Sequence, residues 1–305
     1  MDYAPTPEQE QLHSAIDTLL QRHAGPGRAR QLDRAGAADQ ELATTLSRGG
    51  FLDLLREPDA GPLAAELVTE WVSRSAGRIP VGARSLVAPA VFDVALPDLV
   101  TVMDGAAPGP VRFGAQAQAI VVINSNEARL VVPATGAAEP VPSVYGYPLA
   151  RVSLEGADIL AVGDGPLARR WWQVALAAEI SATIGAAFDL TLAHHKTRKQ
   201  FDRPIGSYQS LQHRMGQIYV GYQGASWLAR EAAYHGAPAQ SAAAAATYAA
   251  DAAGEAGLQL HQMTGAIGFT REYDLHIWTL RLQALRLEMG GARRHALDLA
   301  DARWG

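Results

Sequence analysis

From residue 166 to its end the chain reads as helix, interrupted at only three places. Four long segments result, at about 167–197, 207–235, 238–264 and 272–303. In the second, Leu211, Met215, Ile218, Tyr222 and Leu228 fall close to one face, the spacing of an amphipathic helix. At 1.5 Å rise per residue such helices are about 40 Å long. Long helices joined by short connections leave few ways to bury their apolar faces. An up-and-down four-helix bundle is the expected solution.

The preceding residues differ in character. Two β-branched runs, Ala119-Ile120-Val121-Val122-Ile123 and Ala128-Arg129-Leu130-Val131-Val132, flank Asn124-Ser125-Asn126, a hairpin signal. Residues 149–154 alternate apolar and polar as a half-buried strand does. A compact β-region is therefore expected at about 110–160, opened by Pro108-Gly109-Pro110. The first third reads as helical again. Thr6 caps a helix that carries Pro7 in its first turn. Further helices are expected at about 39–48, 62–76 and 87–100, the first of these stopped by Gly49-Gly50. The domains are thus a helical domain at 1–107, a β-domain at 108–163 and a helical bundle at 164–305, mainly α with a small β-domain.

Composition excludes several functions. With 48% hydrophobic and 19% charged residues the chain is an ordinary globular one. It has no cysteine, so disulfides, thiolate metal sites and cysteine nucleophiles are ruled out, as suits a cytoplasmic protein. The net charge of −5 is spread among interspersed signs, which gives no footing for nucleic acid. The polar, acidic opening Met1-Asp2-Tyr3-Ala4-Pro5-Thr6 is no secretory signal. The long uncharged tract at 232–250 is too weakly apolar to span a membrane. His194-His195 is the one histidine pair, and neighbours on a helix face different ways, so no metal is expected. Trp171, Trp172 and Trp278 read as core or interface aromatics.

Two stretches carry chemistry, and both lie where long helices meet. The first runs from Thr197 to Gln209 around the turn Pro204-Ile205-Gly206 and places Arg198 at a helix end. An arginine there can fork onto an anionic oxygen such as a pyrophosphate, or simply cap the helix carbonyls. The second, Gln262-Met263-Thr264-Gly265-Ala266-Ile267-Gly268-Phe269, is a glycine-rich bend. It can bring backbone N–H groups close to a phosphate, or be a plain inter-helix turn.

Together and in this order they resemble the two C-terminal signatures of the acyl-CoA dehydrogenase family, Arg-Lys-x-Phe-x-x-Pro-Ile-Gly-x-x-Gln and Gln-x-x-Gly-Gly-x-Gly-Phe. Thr6-Pro7-Glu8-Gln9-Glu10, Gly50-Phe51-Leu52-Asp53-Leu54 and Leu149-Ala150-Arg151-Val152-Ser153-Leu154 are also similar to that family. The resemblance implies the family fold and FAD as cofactor. It further implies that Arg198, Phe201 and Gln209, with Gln262, Gly265 and Ala266, contact a flavin nucleotide held mainly by a partner subunit. Ala266 stands where the family has its second glycine.

The family's Thr-Glu-Pro-x-Ala-Gly-Ser-Asp-like segment, which lies against the flavin ring, has no counterpart between Phe92 and Leu160. The family's two positions for the catalytic base fall on Trp172 and on Met289, with Glu288 one residue away. A one-residue offset turns a helical side chain by about 100°. Glu288 is thus a weak candidate, more simply read as an exposed helix carboxylate. Glu179, two turns beyond Trp172, is common in the family without being the base. The resemblance accordingly implies a short subunit of a heteromeric acyl-CoA dehydrogenase of the actinobacterial steroid-CoA type. A full-length subunit would complete the site, in an α2β2 heterotetramer that oxidises a bulky acyl-CoA and passes electrons to an electron-transfer flavoprotein. The alternatives are a stand-alone lyase or dehydratase reusing the fold without flavin, a homodimeric dehydrogenase using Glu288, and a purely structural partner.

Overall fold

The computed structural model describes residues 6–305; the first five residues of the polar opening stretch lie outside them. Helix α1 (Pro7–His23) starts where the sequence places it. Thr6 Oγ1 accepts the Gln9 N–H at 3.3 Å while Gln9 Oε1 accepts the Thr6 N–H at 3.0 Å, a reciprocal cap. Helix α2 (Pro26–Ala35) was not anticipated, although Pro26 just inside its start and left-handed Gly36 just past its end bracket it. Helices α3 (Gln40–Arg48) and α4 (Gly61–Arg74) follow.

The helix expected at 87–100 is not formed. A π-turn at Ala83–Val87 runs into the single helical turn α5 (Ala88–Val91), and the chain becomes extended at Phe92. Arg56 gathers the carbonyls of Pro89, Phe92 and Val94 there. Pro97 can donate no helical hydrogen bond. Val100-Thr101-Val102 then enters strand β1 (Val100–Asp104), ahead of the expected domain boundary at 108.

β1 runs parallel to β3 (Ala119–Ile123), which pairs antiparallel with β4 (Glu127–Val132), and β4 with β7 (Asp158–Asp164). β3 is buried along its whole length, the environment its unbroken β-branched run calls for. A second sheet joins β2 (Val111–Arg112) to β6 (Leu149–Val152) and β6 to β5 (Ala138–Val141), all antiparallel.

Helix α6 (Gly165–Thr197) is the axis of the molecule. Nearly every side chain from Trp171 to Phe188 is buried, because neighbours surround it: α4, the sheet, α7 (Gln209–Tyr234), α8 (Ala239–Thr264) and α9 (Leu275–Leu285). It is long and apolar enough to cross a membrane, yet 89% of its most apolar window is buried within the protein. A helix apolar all round is a core helix. Ala242, Ala246, Ala249, Ala253 and Ala256 form the buried face of α8, and their small size lets it lie close to α6 and α7.

The fourth long helix is broken. α9 ends at Leu285 and α10 spans Gly291–Trp304. At the break Met289 (φ 50°), Gly290 (φ 86°) and Gly291 (φ 66°), the last of them the first residue of α10, have positive φ. No α-helix passes through three such residues in a row.

Candidate functional site

The six residues assigned by motif lie on two neighbouring connections at one end of the bundle or in the helical turns that flank them, Gln209 opening α7 and Gln262 in the last turn of α8. In the first, α6 ends as Arg198 turns extended, its N–H still bonded to the His194 carbonyl at 2.8 Å. The Ile205 N–H returns to the Arg198 carbonyl at 2.8 Å. That closes a tight hairpin of β8 (Lys199–Gln200) and β9 (Arg203–Pro204). Its two turn residues, Phe201 (φ 52°) and Asp202 (φ 63°), are both left-handed. Such a turn favours Asn-Gly, so Phe at its first position is held against its backbone preference. The result is a phenyl ring 87% exposed at the hairpin tip. Tyr208 braces the base, donating to the Gln200 carbonyl at 3.2 Å with the Arg203 guanidinium 4.1 Å over its ring. Gln209 then starts α7, exposed.

The second connection follows α8. Gly265 (φ 72°, ψ −153°) takes the chain out of the helix in a conformation that side chains rarely adopt. The segment Gly265–Phe269 makes a 3-10 turn. Gly268 has no room for a side chain, since a Cβ would come within 2.9 Å of Thr264 Cβ. Phe269 is 72% exposed and stacks on His261, ring centroids 5.1 Å apart. Gln262 and Ala266 are exposed, and the space beside Gly265 is open. Buried His195 ties the two connections together, donating from Nε2 to the Met263 carbonyl at 3.2 Å. Burial lowers the His195 pKa, which keeps this ring neutral and structural.

Among the described residues the side chains of Arg198, Gln209 and Gln262 make no hydrogen bond or ion pair. One guanidinium and two amides are thus presented outward without hydrogen-bond partners, beside two exposed aromatic rings, of which Phe269 rests on His261. A nucleotide fits such a set: a pyrophosphate for the arginine fork, an aromatic base for the rings, and backbone room beside Gly265.

Glu288 lies elsewhere and is neither helical nor freely exposed, which corrects the simple reading of it. It sits on the turn Glu288–Gly290 between α9 and α10. Its carboxylate reaches the guanidinium of Arg112, which is itself only 6% exposed. Arg112 Nη1 donates to Glu179 Oε2 at 2.8 Å, and Glu179 Oε1 accepts the Gly82 N–H at 3.2 Å. The guanidinium lies 4.9 Å from the Tyr147 ring centre and 5.5 Å from that of Trp172. Burial opposes the charge on Arg112, but Glu179 and Glu288 outweigh it and its pKa rises. Burial also drives the Glu288 carboxyl up; Arg112 pulls it down, Glu179 pushes it up, and it rests at about 7.

Trp172 and Glu288-Met289, the two places where the family pattern puts a base, line one cavity of about 370 Å³. The two positions are thus one place in the fold, and Arg112, which no motif marks, stands between them. The available signal was a single arginine between Val111 and Phe113 in an apolar stretch. Glu179 is about 27 Å along α6 from the exposed connections at 1.5 Å per residue, so the two sites are separate.

The profile of the acyl-CoA dehydrogenase C-terminal domain matches residues 171–302. Acyl-CoA dehydrogenase IpdE2 of Mycobacterium tuberculosis is 30% identical over 302 residues, 91% of each chain. The backbone superimposes on a chain of the ChsE4-ChsE5 complex from Mycobacterium tuberculosis with a TM-score of 0.83 at 21% identity, covering 99% of this chain and 98% of that one. It superimposes on the Tcur3481-Tcur3483 steroid ACAD with a TM-score of 0.78 at 20% identity, over 97% of both.

Proposed function

The chain belongs to the acyl-CoA dehydrogenase family, and on that premise we propose that it is the short subunit of a two-component, FAD-dependent acyl-CoA dehydrogenase. The observation that carries this reading is the pair of motif connections, exposed, held side by side by His195 and left unpaired within the chain. An arginine, two glutamines and two phenylalanines displayed this way are suited to a nucleotide whose other end is bound by another subunit.

A second feature supports the division of labour. Where a base would act, Arg112 is clamped between Glu179 and Glu288. Glu179 is spent on Arg112 and the Gly82 N–H deep in the core, and Glu288 is turned onto the same guanidinium, so neither carboxylate is free to reach a substrate proton. The redox half of the site, with its base, then belongs to a full-length partner. The chain's near-complete overlap with one chain of the ChsE4-ChsE5 complex agrees with an α2β2 assembly. The steroid ACAD likeness favours a bulky acyl group, and an electron-transfer flavoprotein would receive the electrons.

This chain's part is binding. Arg198, Phe201, Gln209, Gln262, Gly265 and Ala266, with Phe269 beside them, would hold the nucleotide. The guanidinium would pair with its phosphates, the amides would hydrogen-bond it, and the glycine would leave room for backbone to approach. The chemistry that the bound flavin supplies is acceptance of hydride from the β-carbon of the thioester. The test is to co-express Arg198→Ala and Gln262→Ala with the full-length partner and compare complex yield with bound flavin. A charge-assisted hydrogen bond contributes about 1.5–3 kcal/mol, so Arg198→Ala should release FAD roughly 10- to 100-fold more readily from an intact complex. Unchanged retention in both variants would remove these motifs from the cofactor.

A further inference from the structure

The cavity around Arg112 has features that a plain structural ion cluster does not need. The two carboxylates on the guanidinium are held very differently. Glu179 is 2% exposed, lies in the middle of α6 and is also bonded to the Gly82 N–H. Glu288 is 20% exposed and sits on the short turn where three successive residues of positive φ break α9 from α10. Its neighbour Leu287 is 58% exposed. Arg112 therefore has one fixed partner on its inner side and one displaceable partner on the side facing the cavity. The space beyond is about 370 Å³, within the range of small-molecule sites, and Val102, Met103, Leu149 and Trp172 give it apolar walls.

We propose that this cavity binds a small apolar organic acid, whose carboxylate takes the place of the Glu288 side chain on the Arg112 guanidinium. A guanidinium fork matches a carboxylate, and Glu288 already marks where that carboxylate goes. The apolar body of the acid lies against Trp172 and Leu149. This site is independent of the motif connections and needs no flavin.

Displacement has an electrostatic consequence. Three ionised carboxylates cannot crowd one guanidinium, so the displaced Glu288 takes up a proton. The groups facing it are Arg112 on β2, Glu179 on α6, Asp104 on β1, Tyr147 beside Arg112, and Arg281 of α9 behind Tyr147. His295 of α10 bonds the Glu288 backbone; burial lowers its pKa to about 4, so it stays neutral near pH 7. Burial raises the Tyr147 pKa, so it too stays neutral there. Glu288, raised to about 7, changes charge between pH 6 and pH 8.

The experiment is calorimetric titration of the full chain with cyclohexanecarboxylate, using cyclohexylmethanol as the uncharged control. The wild type should bind the acid and not the alcohol, about tenfold more weakly at pH 8 than at pH 6 because one proton is taken up. Glu288→Gln should bind at least as tightly as the wild type at pH 6, with no difference between the two pH values. Arg112→Lys, which keeps the charge and loses the fork, should bind more weakly. Absence of acid binding in both the wild type and Glu288→Gln, equal binding of the alcohol, unchanged binding by Arg112→Lys, or the same pH dependence in Glu288→Gln would each overturn the proposal.

Discussion

Replacing Arg112 by Met removes a buried cation and leaves an apolar side chain that still packs between Trp172 and Tyr147. Two carboxylates then face one another across the vacated position. Breaking one side of a buried ion pair costs about 3–5 kcal/mol, chiefly because the remaining charge is stranded. The two acids do not share that cost equally. Glu288, 20% exposed and raised to about 7, can take a proton. Glu179, 2% exposed, keeps only the 3.2 Å bond from the Gly82 N–H. The loss therefore falls mainly on Glu179 and should lie near the lower end, about 3 kcal/mol. Urea denaturation at pH 8, followed by tryptophan fluorescence, measures it. Adding Glu179→Gln should recover most of the loss, because a neutral amide leaves no stranded charge. A loss under about 1 kcal/mol, or no recovery in the double variant, would refute the view that Arg112 neutralises these two carboxylates.

Glu66 is fully buried beside Glu70 and Arg230 with both carboxylate oxygens lacking hydrogen-bond partners, and burial raises its pKa well above 4.5. The folded state thus holds a proton that the unfolded state releases, so stability should fall as pH rises from about 4.5 through the folded value; Glu66→Gln should flatten that slope in denaturation midpoints measured across the range. Asp202 occupies the second left-handed position of the β8–β9 turn, where glycine is favoured. Asp202→Gly should stabilise the chain by about 0.5–1 kcal/mol in urea titrations while leaving flavin retention in the complex unchanged.

The order of helices, strands and bundle was legible because its signals are local. Thr6 and Pro7 cap α1, the run Ala119–Ile123 is unambiguously β, and α6, α7 and α8 carry long helical segments. Elements decided by distant partners were not legible. Residues 87–100 are apolar enough for a helix, but Val100–Asp104 is drawn into a parallel pair with β3 that no local pattern announces. The last segment reads as one helix from residue 272 to 303, yet positive φ at Met289, Gly290 and Gly291 breaks it in two. The site shows the same contrast. Arg198 and Gln262 belong to short motifs with fixed spacing. Arg112 meets Glu179 and Glu288, which lie 67 and 176 residues further on, and only folding joins them.

On the proposed function this chain completes a flavin site that it does not hold alone. The visible absorption spectrum of the purified chain, by itself and co-expressed with a full-length acyl-CoA dehydrogenase partner, tests this. The expected result is a colourless chain alone and a stable yellow complex carrying FAD. A flavin spectrum from the chain alone, or a stable complex without flavin, would contradict it.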